Sequence, residues 1–181
     1  IRTLTTRTTT IRPDTKGLRI LRQEQERQPN KKAVLYECII VCRKSKLAVF
    51  NDVMQPYIEN GTLKEHPSSF PEVFDCFGTT SSAKDEIKEI FGRRDYFSTP
   101  KPLKLMKELI RATTNKDSIV MDYFAGSGTV GQACMELNTE DGGNRTFVLV
   151  CNSESDICRN VTYKRVTAAS KRHRYQFEFL D

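Results

Sequence analysis

The stretch from Asp122 to Gly131 constrains this chain more than any other part of its sequence. It reads Asp122-Tyr-Phe-Ala-Gly126-Ser-Gly128-Thr-Val-Gly131, follows the short apolar run 118–121 and precedes a helical pattern over 130–137. A buried strand, a glycine turn and a helix N-terminus form the geometry that binds a nucleoside-bearing cofactor in doubly wound α/β proteins. Glycines let a ligand approach the backbone closely, and the first helical turn carries unpaired N–H groups. The stretch therefore predicts an α/β fold with a cofactor site at the end of this strand.

Two cofactor classes fit this glycine spacing, and Asp122 separates them. Gly126, Gly128 and Gly131 match the dinucleotide fingerprint, so a nicotinamide-binding oxidoreductase is one interpretation, although a clear acid about 20 residues further on is lacking. Asp122 ends the strand just before the glycines, where its carboxylate would repel a pyrophosphate and attract an ammonium. S-adenosylmethionine carries an ammonium and no phosphate. The pattern therefore favours S-adenosylmethionine.

A second motif lies upstream, where Phe97-Ser-Thr-Pro-Lys-Pro102 opens another helical pattern. Together with the stretch 122–128 it resembles motifs X and I of β-class amino-methylating DNA methyltransferases. More narrowly, it is similar to the modification subunit of type III restriction–modification systems, and segments 82–92, 140–150 and 156–165 fit that family too. Several motifs in the same order are more specific than one glycine loop. The resemblance extends over roughly half of the chain, from about Phe77 to about Val166.

The resemblance implies a fold, a division into domains and an activity. The fold would be a three-layer, Rossmann-like α/β methyltransferase core, present in part, with an N-terminal α+β extension. Residues 1–75 would be the tail of a target-recognition region, and residues 76–181 the cofactor-binding core. The activity would be methylation of adenine N6 in double-stranded DNA with S-adenosylmethionine as the cofactor. Adenine rather than cytosine N4 rests on the narrower resemblance alone.

The same resemblance implies roles for individual residues. Asp122 would face the methionine ammonium, and Ser98, Thr99 and Lys101 would hold the methionine carboxylate. The alternatives are that Asp122 only caps the next helix, and that residues 98–101 are an ordinary helix start. Phe124 would pack against the cofactor or fill the core. Asn152 or Glu154 would bind the ribose, and the alternative is that each is a surface loop residue with no role. The expected cofactor-binding residues are Phe97, Ser98, Thr99, Lys101, Asp122, Phe124, Ala125, Gly126, Ser127, Gly128 and Asn152.

No catalytic residue is identified in this chain. In the family, an Asp-Pro-Pro-Tyr type tetrapeptide accepts the amino hydrogens and stacks on the flipped base. The sequence contains no Pro-Pro pair. Gln55-Pro-Tyr57 is the segment most similar to the tetrapeptide, and it lacks the acid and the second proline. Because this tetrapeptide precedes motifs X and I in the β order, we expect the chain to be the C-terminal part of a longer protein and not to methylate alone. Self-association and a restriction subunit are then candidate partners of the full-length protein.

The net charge of +6 comes from the N-terminal part of the chain. Residues 1–32 contain nine Lys or Arg and three acids, an excess equal to the whole net charge. Such a patch is suited to salt-dependent phosphate contacts, and it is equally consistent with a solvated arm. A catalytically inactive relative that binds DNA or a protein partner through this arm is therefore the second function hypothesis.

Composition excludes two further classes. No apolar run approaches the ~20 residues that span a bilayer, so no membrane partner is expected. The six cysteines lack metal-site spacing and only two histidines are present, so no metal site is expected. The cysteines are interpreted as reduced, buried small residues in a cytoplasmic protein.

Hydrophobic periodicity and turn residues predict the secondary structure. Helix 82–91 is expected to begin at Ser82, with Asp85 as the acid of a capping box, and to end at Gly92. Asn60-Gly61 is expected to be a helix stop or a turn. The remaining expectations are strands at 3–11, 33–41, 118–123, 146–151 and 175–180, helices at 52–60, from 100 or 102 to 110, at 127–137 and at 155–169, and a loop at 66–71.

Overall fold

The structure is a computed structural model that describes residues 18–21, 39–42, 51–68, 77–152 and 156–180. In the first of its two compact units, the described residues form an antiparallel pair, β1 (Leu18–Leu21) and β2 (Ile39–Cys42). β2 overlaps the strand predicted at 33–41. The strand predicted at 3–11 lies outside the described residues, as does the expected boundary near residue 75. The two units are Ile1–Ala48 with Pro71–Val73, and Val49–Phe70 with Phe74–Asp181.

The second unit begins with a β-hairpin in place of the helix predicted at 52–60. β3 (Val53–Glu59) pairs antiparallel with β4 (Thr62–Ser68), which leaves Asn60-Gly61 as a two-residue turn. Both turn residues have positive φ, 51° and 74°, a geometry that an Asn-Gly pair adopts readily. The helix prediction was therefore wrong, while the turn is confirmed. The predicted loop was also wrong for residues 66–68, which belong to β4.

The first helix, α1 (Thr80–Phe91), starts earlier than predicted. Its N-cap is Thr79, whose hydroxyl accepts a hydrogen bond from the Ser82 amide at 3.2 Å, while the Ser82 hydroxyl accepts one from the Thr79 amide at 2.9 Å. This reciprocal capping box replaces the predicted one, and Asp85 instead forms an ion pair with Arg94 at 2.8 Å. Gly92 ends the helix at φ 81°, as predicted. A single 3-10 turn follows at Arg94–Tyr96.

The predicted strand–helix–strand unit is confirmed. β5 (Ile119–Asp122) leads through the glycine loop into α3 (Thr129–Asp141), and β6 (Thr146–Leu149) returns parallel to β5. The helix predicted to begin at Pro100 or Pro102 is α2 (Leu103–Thr113), which begins directly after Pro102. The predicted C-terminal helix consists of a π-helical turn, Cys158–Thr162, and α4 (Tyr163–His173).

Three helices cover one face of the parallel strand pair. Ile110 of α2 packs with Ala133, Cys134 and Leu137 of α3, and Phe147 of β6 lies against this cluster. A second cluster joins α3 to Val166 and Ala169 of α4. Residues 175–180 were predicted to be a strand but form no strand in the described part of the chain. Tyr175 and Phe177 instead pack on the second cluster.

Two small residues of α3 lie in this core. A Cβ added at Gly131 would lie 3.0 Å from Leu149 Cδ1, so this glycine allows α3 to pack closely on the sheet. Cys134 is buried as predicted, and burial raises the pKa of its thiol to about 12. Cys151 and Cys158 are only half-buried.

The opposite face of the strand pair is apolar and exposed. Ile119, Met121 and Val148 are 73%, 48% and 45% exposed, although parallel strands are usually covered on both faces. The described residues therefore form a mixed α/β structure with one helix layer, and the three-layer core stays a prediction. None of the described helices is long and apolar enough to cross a membrane.

Asp141 at the end of α3 joins the helix to β6 and yields a pH-dependent prediction. Its carboxylate accepts hydrogen bonds from Arg145 Nη1 at 3.1 Å, Arg145 Nη2 at 2.9 Å and the Gly143 amide at 2.9 Å. Burial alone would raise the pKa of Asp141, but the hydrogen bonds and the charge of Arg145 lower it overall. Because the pKa is lower in the folded state, the stabilisation is complete above about pH 4 and is lost as pH falls through the folded-state pKa.

We expect Asp141→Asn to reduce the free energy of unfolding at pH 7 by about 1–3 kcal/mol, because it weakens charge-assisted bonds to a buried guanidinium. The difference from the unmodified protein should be smaller at about pH 3 than at pH 7, because stabilisation by a group with a lowered pKa is lost as pH falls through its folded-state pKa. Urea unfolding at the two pH values measures both quantities. Asp95→Asn, which alters an exposed ion pair with Arg93, is the control and should change little. A difference that stays constant with pH would contradict this account.

Candidate cofactor site

The glycine loop is fixed to the ends of both parallel strands. The Val150 amide donates to the Asp122 carbonyl at 2.8 Å, and the Ala125 amide donates to the Val150 carbonyl at 3.1 Å. The Asp122 side chain accepts a hydrogen bond from the Phe124 amide at 3.0 Å, so it braces the loop. It does not cap α3, whose N-cap is Gly128, and the capping alternative is wrong. No other hydrogen bond or ion pair reaches this carboxylate from the described residues.

Helix α4 and its π-helical turn pack against the glycines. Gly126 and Gly128 have φ values of 50° and 76°, which favour glycine. A Cβ at Gly128 would lie 3.1 Å from Thr162 Cγ2 and 3.3 Å from Val166 Cγ2. The Thr162 hydroxyl donates to the Gly126 carbonyl at 2.7 Å. π-Helical turns occur frequently at functional sites, and this one presents Thr162 to the back of the loop.

The segment 97–101 lies directly beside the loop. The Phe97 ring atom Cζ is 3.5 Å from the position of a Cβ at Gly126, and the Thr129 hydroxyl donates to the Lys101 carbonyl at 3.3 Å. Ser98, Thr99 and Lys101 are exposed. The amide of Leu103, at the start of α2, is bound by the Glu86 carboxylate at 3.0 and 3.2 Å rather than by a side chain of residues 98–101.

Of the remaining residues predicted to bind the cofactor, some are exposed and others are buried. Phe124 is 91% exposed, so the alternative that it fills the core is wrong. Ala125 and Ser127 are buried, and both backbone groups of Ala125 are hydrogen-bonded within the protein, the amide to the Val150 carbonyl and the carbonyl to the Gly128 amide. Asn152 is exposed and follows the end of β6, while Glu154 lies outside the described residues. The structure thus brings Phe97 against Gly126 and Lys101 against Thr129, and Asn152 follows the strand end to which the loop is bonded.

Sequence reasoning missed a buried arginine behind the loop. Arg165 is fully buried, and it donates hydrogen bonds to Ser127, Thr129, Gln132 and Glu86. Burial lowers its pKa and Glu86 opposes the shift, and an arginine in such an ion pair stays charged at neutral pH. A signal was present, because Arg165 stands four residues from both Val161 and Ala169, on the apolar stripe of the helix. A charge at such a position indicates a buried partner.

The candidate site combines groups that can pair with an amine and groups that can pair with a carboxylate. A carboxylate, Asp122, stands at one strand end, and the hydroxyls of Ser98 and Thr99 with the ammonium of Lys101 stand in the neighbouring segment. No group of His, Cys, Asp and Glu that could hold a metal ion is present in the described ranges. A parallel strand pair joined by a glycine turn and a helix places the described residues in the α/β class.

Comparison with known proteins identifies the family to which the chain belongs. The family model described as DNA methylase, for N6- and N4-methyltransferases, matches residues 19–163, and the chain belongs to this family. The Mod subunit of the type III restriction–modification enzyme StyLTI from Salmonella typhimurium strain LT2 is 42% identical over 92 residues, which are 51% of this chain and 14% of that protein.

Two further relatives also match less than half of the chain. The EcoPI Mod subunit of Escherichia phage P1 is 42% identical over 76 residues, which are 42% of this chain and 12% of that protein. The type II methyltransferase M.KpnI of Klebsiella pneumoniae is 36% identical over 85 residues, which are 47% of this chain and 20% of that protein. The chain therefore matches a fifth or less of the length of each relative.

Because α4 packs on the loop, we expect an alanine substitution at Gly128 to destabilise the protein more than the same substitution at Gly142. Gly128 and Gly142 both have positive φ, 76° and 66°, but a Cβ at Gly142 would meet no atom within 4 Å. Gly142→Ala should reduce the free energy of unfolding by about 1–2 kcal/mol through backbone strain alone. Gly128→Ala should cost about 1–3 kcal/mol more, because its methyl group would press on Thr162 and Val166. Urea unfolding of the two variants tests this, and equal losses would show that α4 does not pack tightly on the loop.

Proposed function

We propose that this chain forms the S-adenosylmethionine site of a DNA adenine-N6 methyltransferase of the type III restriction–modification kind. The observation that carries the proposal is the contact between the two predicted cofactor segments, in which Phe97 lies against Gly126 and Thr129 bonds to Lys101. These segments are separated in sequence, and the fold brings them to one edge of the parallel strand pair.

The polar groups suit the charges of S-adenosylmethionine. The Asp122 carboxylate uses Oδ1 to brace the Phe124 amide, and Oδ2 is available for the methionine ammonium. Ser98, Thr99 and Lys101 would hold the methionine carboxylate, while Phe97, Phe124 and the loop 125–128 would line the cofactor. Asn152 would bind the ribose. When bound, the cofactor supplies a methyl group on a sulfonium, and these residues would orient it.

Two features support a larger catalytic domain around this site. The exposed apolar face of β5 and β6 suits a second helix layer, as in the predicted three-layer core with an N-terminal extension. The chain has no catalytic tetrapeptide and matches only 14% of the StyLTI Mod subunit. The residues that contact the target base would therefore come from elsewhere in the full-length protein.

The remaining parts of the proposal rest on the relatives. The type III Mod subunits suggest double-stranded DNA as the substrate and a restriction subunit as a partner, with self-association as a further candidate. A cytoplasmic location is part of the same proposal. The alternatives, an inactive DNA- or partner-binding relative and a nicotinamide-dependent oxidoreductase, gain no support from the family match.

Substitution of Asp122 tests the cofactor site. Asp122→Asn keeps an acceptor for the Phe124 amide but removes the charge that would face the ammonium. We expect S-adenosylmethionine binding, measured by calorimetry, to weaken by about 1.5–3 kcal/mol, which is about tenfold to a hundredfold. Asp117→Asn, just before the opposite end of β5, is the matched control and should bind normally. Equal affinities of the two variants, or binding of NAD by the unmodified chain, would refute the proposed site.

The target atom is tested with the full-length protein that contains this chain. Duplex DNA incubated with it and methyl-labelled S-adenosylmethionine should yield labelled N6-methyladenine on nucleoside analysis by mass spectrometry. Label in N4-methylcytosine would contradict the adenine assignment while leaving the cofactor site intact. No label, with normal cofactor binding, would favour the inactive relative.

A further inference from the structure

The most completely enclosed polar group in the described structure is the guanidinium of Arg165. It is 0% exposed, and each of its three nitrogens donates a hydrogen bond. Nε donates to Gln132 Oε1 at 2.7 Å, and Nη2 donates to Glu86 Oε2 at 3.1 Å. Nη1 donates to the hydroxyls of Ser127 at 3.2 Å and Thr129 at 2.9 Å. A buried charge is unfavourable unless it is paired in this way, so the residues around Arg165 are held in fixed positions.

The partners of Arg165 belong to both segments of the proposed cofactor site. Ser127 and Thr129 are in the glycine loop and the first turn of α3. Glu86, on α1, uses both carboxylate oxygens to bind the Leu103 amide, which opens α2 directly after the segment 97–101. Thr129 adds a direct bond to the Lys101 carbonyl at 3.3 Å. Arg165 therefore connects Leu103, through Glu86, to residues 127–129, in addition to the direct bond between Thr129 and Lys101.

This connection lies behind the loop rather than in the proposed site. The Ser127 side chain is buried and bonded to Thr129 and Arg165, while the exposed groups of the site, Ser98, Thr99 and Phe124, lie on other parts of these segments. A glycine loop has few side chains with which to fix its own shape. Its position relative to residues 97–101 therefore depends on contacts from behind, and Thr162 and Arg165 of the C-terminal helix supply them.

We propose that Arg165, acting with Glu86, is a positioning residue that sets the spacing between segments 97–103 and 126–129 and thereby the affinity for the amino-acid end of the cofactor. The inference rests on the proposed function, because it assumes that the amine and the carboxylate of the ligand bridge these two segments. Arg165 contacts no part of the ligand itself. Its role differs from that of an ordinary buried ion pair, which would stabilise the fold without favouring one end of the ligand.

Lysine is the informative replacement for Arg165. It keeps the positive charge, but its single ammonium cannot reproduce the planar fork that reaches Glu86, Gln132 and the two hydroxyls at once. Arg165→Lys should therefore preserve the fold and loosen the spacing of the two segments. Arg172→Lys makes the same chemical change at an exposed position of the same helix, and it is the matched control.

Two ligands that differ only in the amino-acid end distinguish positioning from a general structural role. S-adenosylhomocysteine and 5′-methylthioadenosine share the adenosine and the thioether, and only the former carries the amine and the carboxylate. By calorimetry, Arg165→Lys should weaken S-adenosylhomocysteine binding by about tenfold or more, the scale of one charge-assisted hydrogen bond. Binding of 5′-methylthioadenosine should change by less than about twofold, a difference too small to reflect a lost hydrogen bond. Arg172→Lys should leave both affinities unchanged.

The other outcomes distinguish a failure of the positioning role from a failure of the proposed cofactor site. Equal weakening of both ligands, or no weakening of either, would overturn the positioning role while leaving the cofactor site in place. Failure of the unmodified chain to bind S-adenosylhomocysteine would instead overturn the proposed function. If Arg165→Lys does not fold, as judged by circular dichroism, Glu86→Gln replaces it, because its amide oxygen still accepts from Leu103. Glu86→Gln should show the same selective loss, and an equal loss for both ligands would overturn the inference.

Discussion

The shape of the glycine loop depends on the C-terminal helix that packs behind it. The loop itself has few side chains, and two of its glycines have positive φ. Thr162 bonds to the Gly126 carbonyl, Val166 closes the space beside Gly128, and Arg165 binds the hydroxyls that follow. The glycine loop is the most recognisable motif of the sequence, yet its shape depends on contacts from a helix more than 30 residues away in sequence. Arg165 on the same helix also donates a hydrogen bond to Glu86 of α1, and Glu86 accepts one from the Leu103 amide at the start of α2.

The parts of the fold that could be predicted are those with strong local causes. The apolar run before Asp122, the glycines after it and the helical spacing that follows are all contained within about 20 residues, and each has few alternatives. Gly92 ends α1 as predicted, and α2 begins directly after Pro102, one of the two prolines predicted to open it. The residues of the candidate site were likewise chosen from two local motifs, and the fold places these motifs side by side.

The errors have physical reasons of a different kind. Residues 79–82 are four consecutive hydroxyl side chains, each able to cap a helix, so the choice of Thr79 over Ser82 depends on where α1 packs. Residues 52–60 contain apolar residues that suit a helix or a strand, and only the pairing around Asn60-Gly61 decides for the hairpin. Arg165 could be recognised as unusual from its position on an apolar stripe, but its partners lie on other helices and in the loop. Their identity depends on the tertiary fold, which no local pattern specifies.

A crystal structure of this chain with S-adenosylhomocysteine would test the central claim most directly. The account predicts that the ligand amine lies within hydrogen-bonding distance, about 2.7–3.2 Å, of the Asp122 carboxylate, and that its carboxylate contacts residues 98–101. The loop and Arg165 should keep the hydrogen bonds described above. A ligand bound elsewhere, or in the reverse orientation with its amino-acid end away from Asp122, would contradict the account.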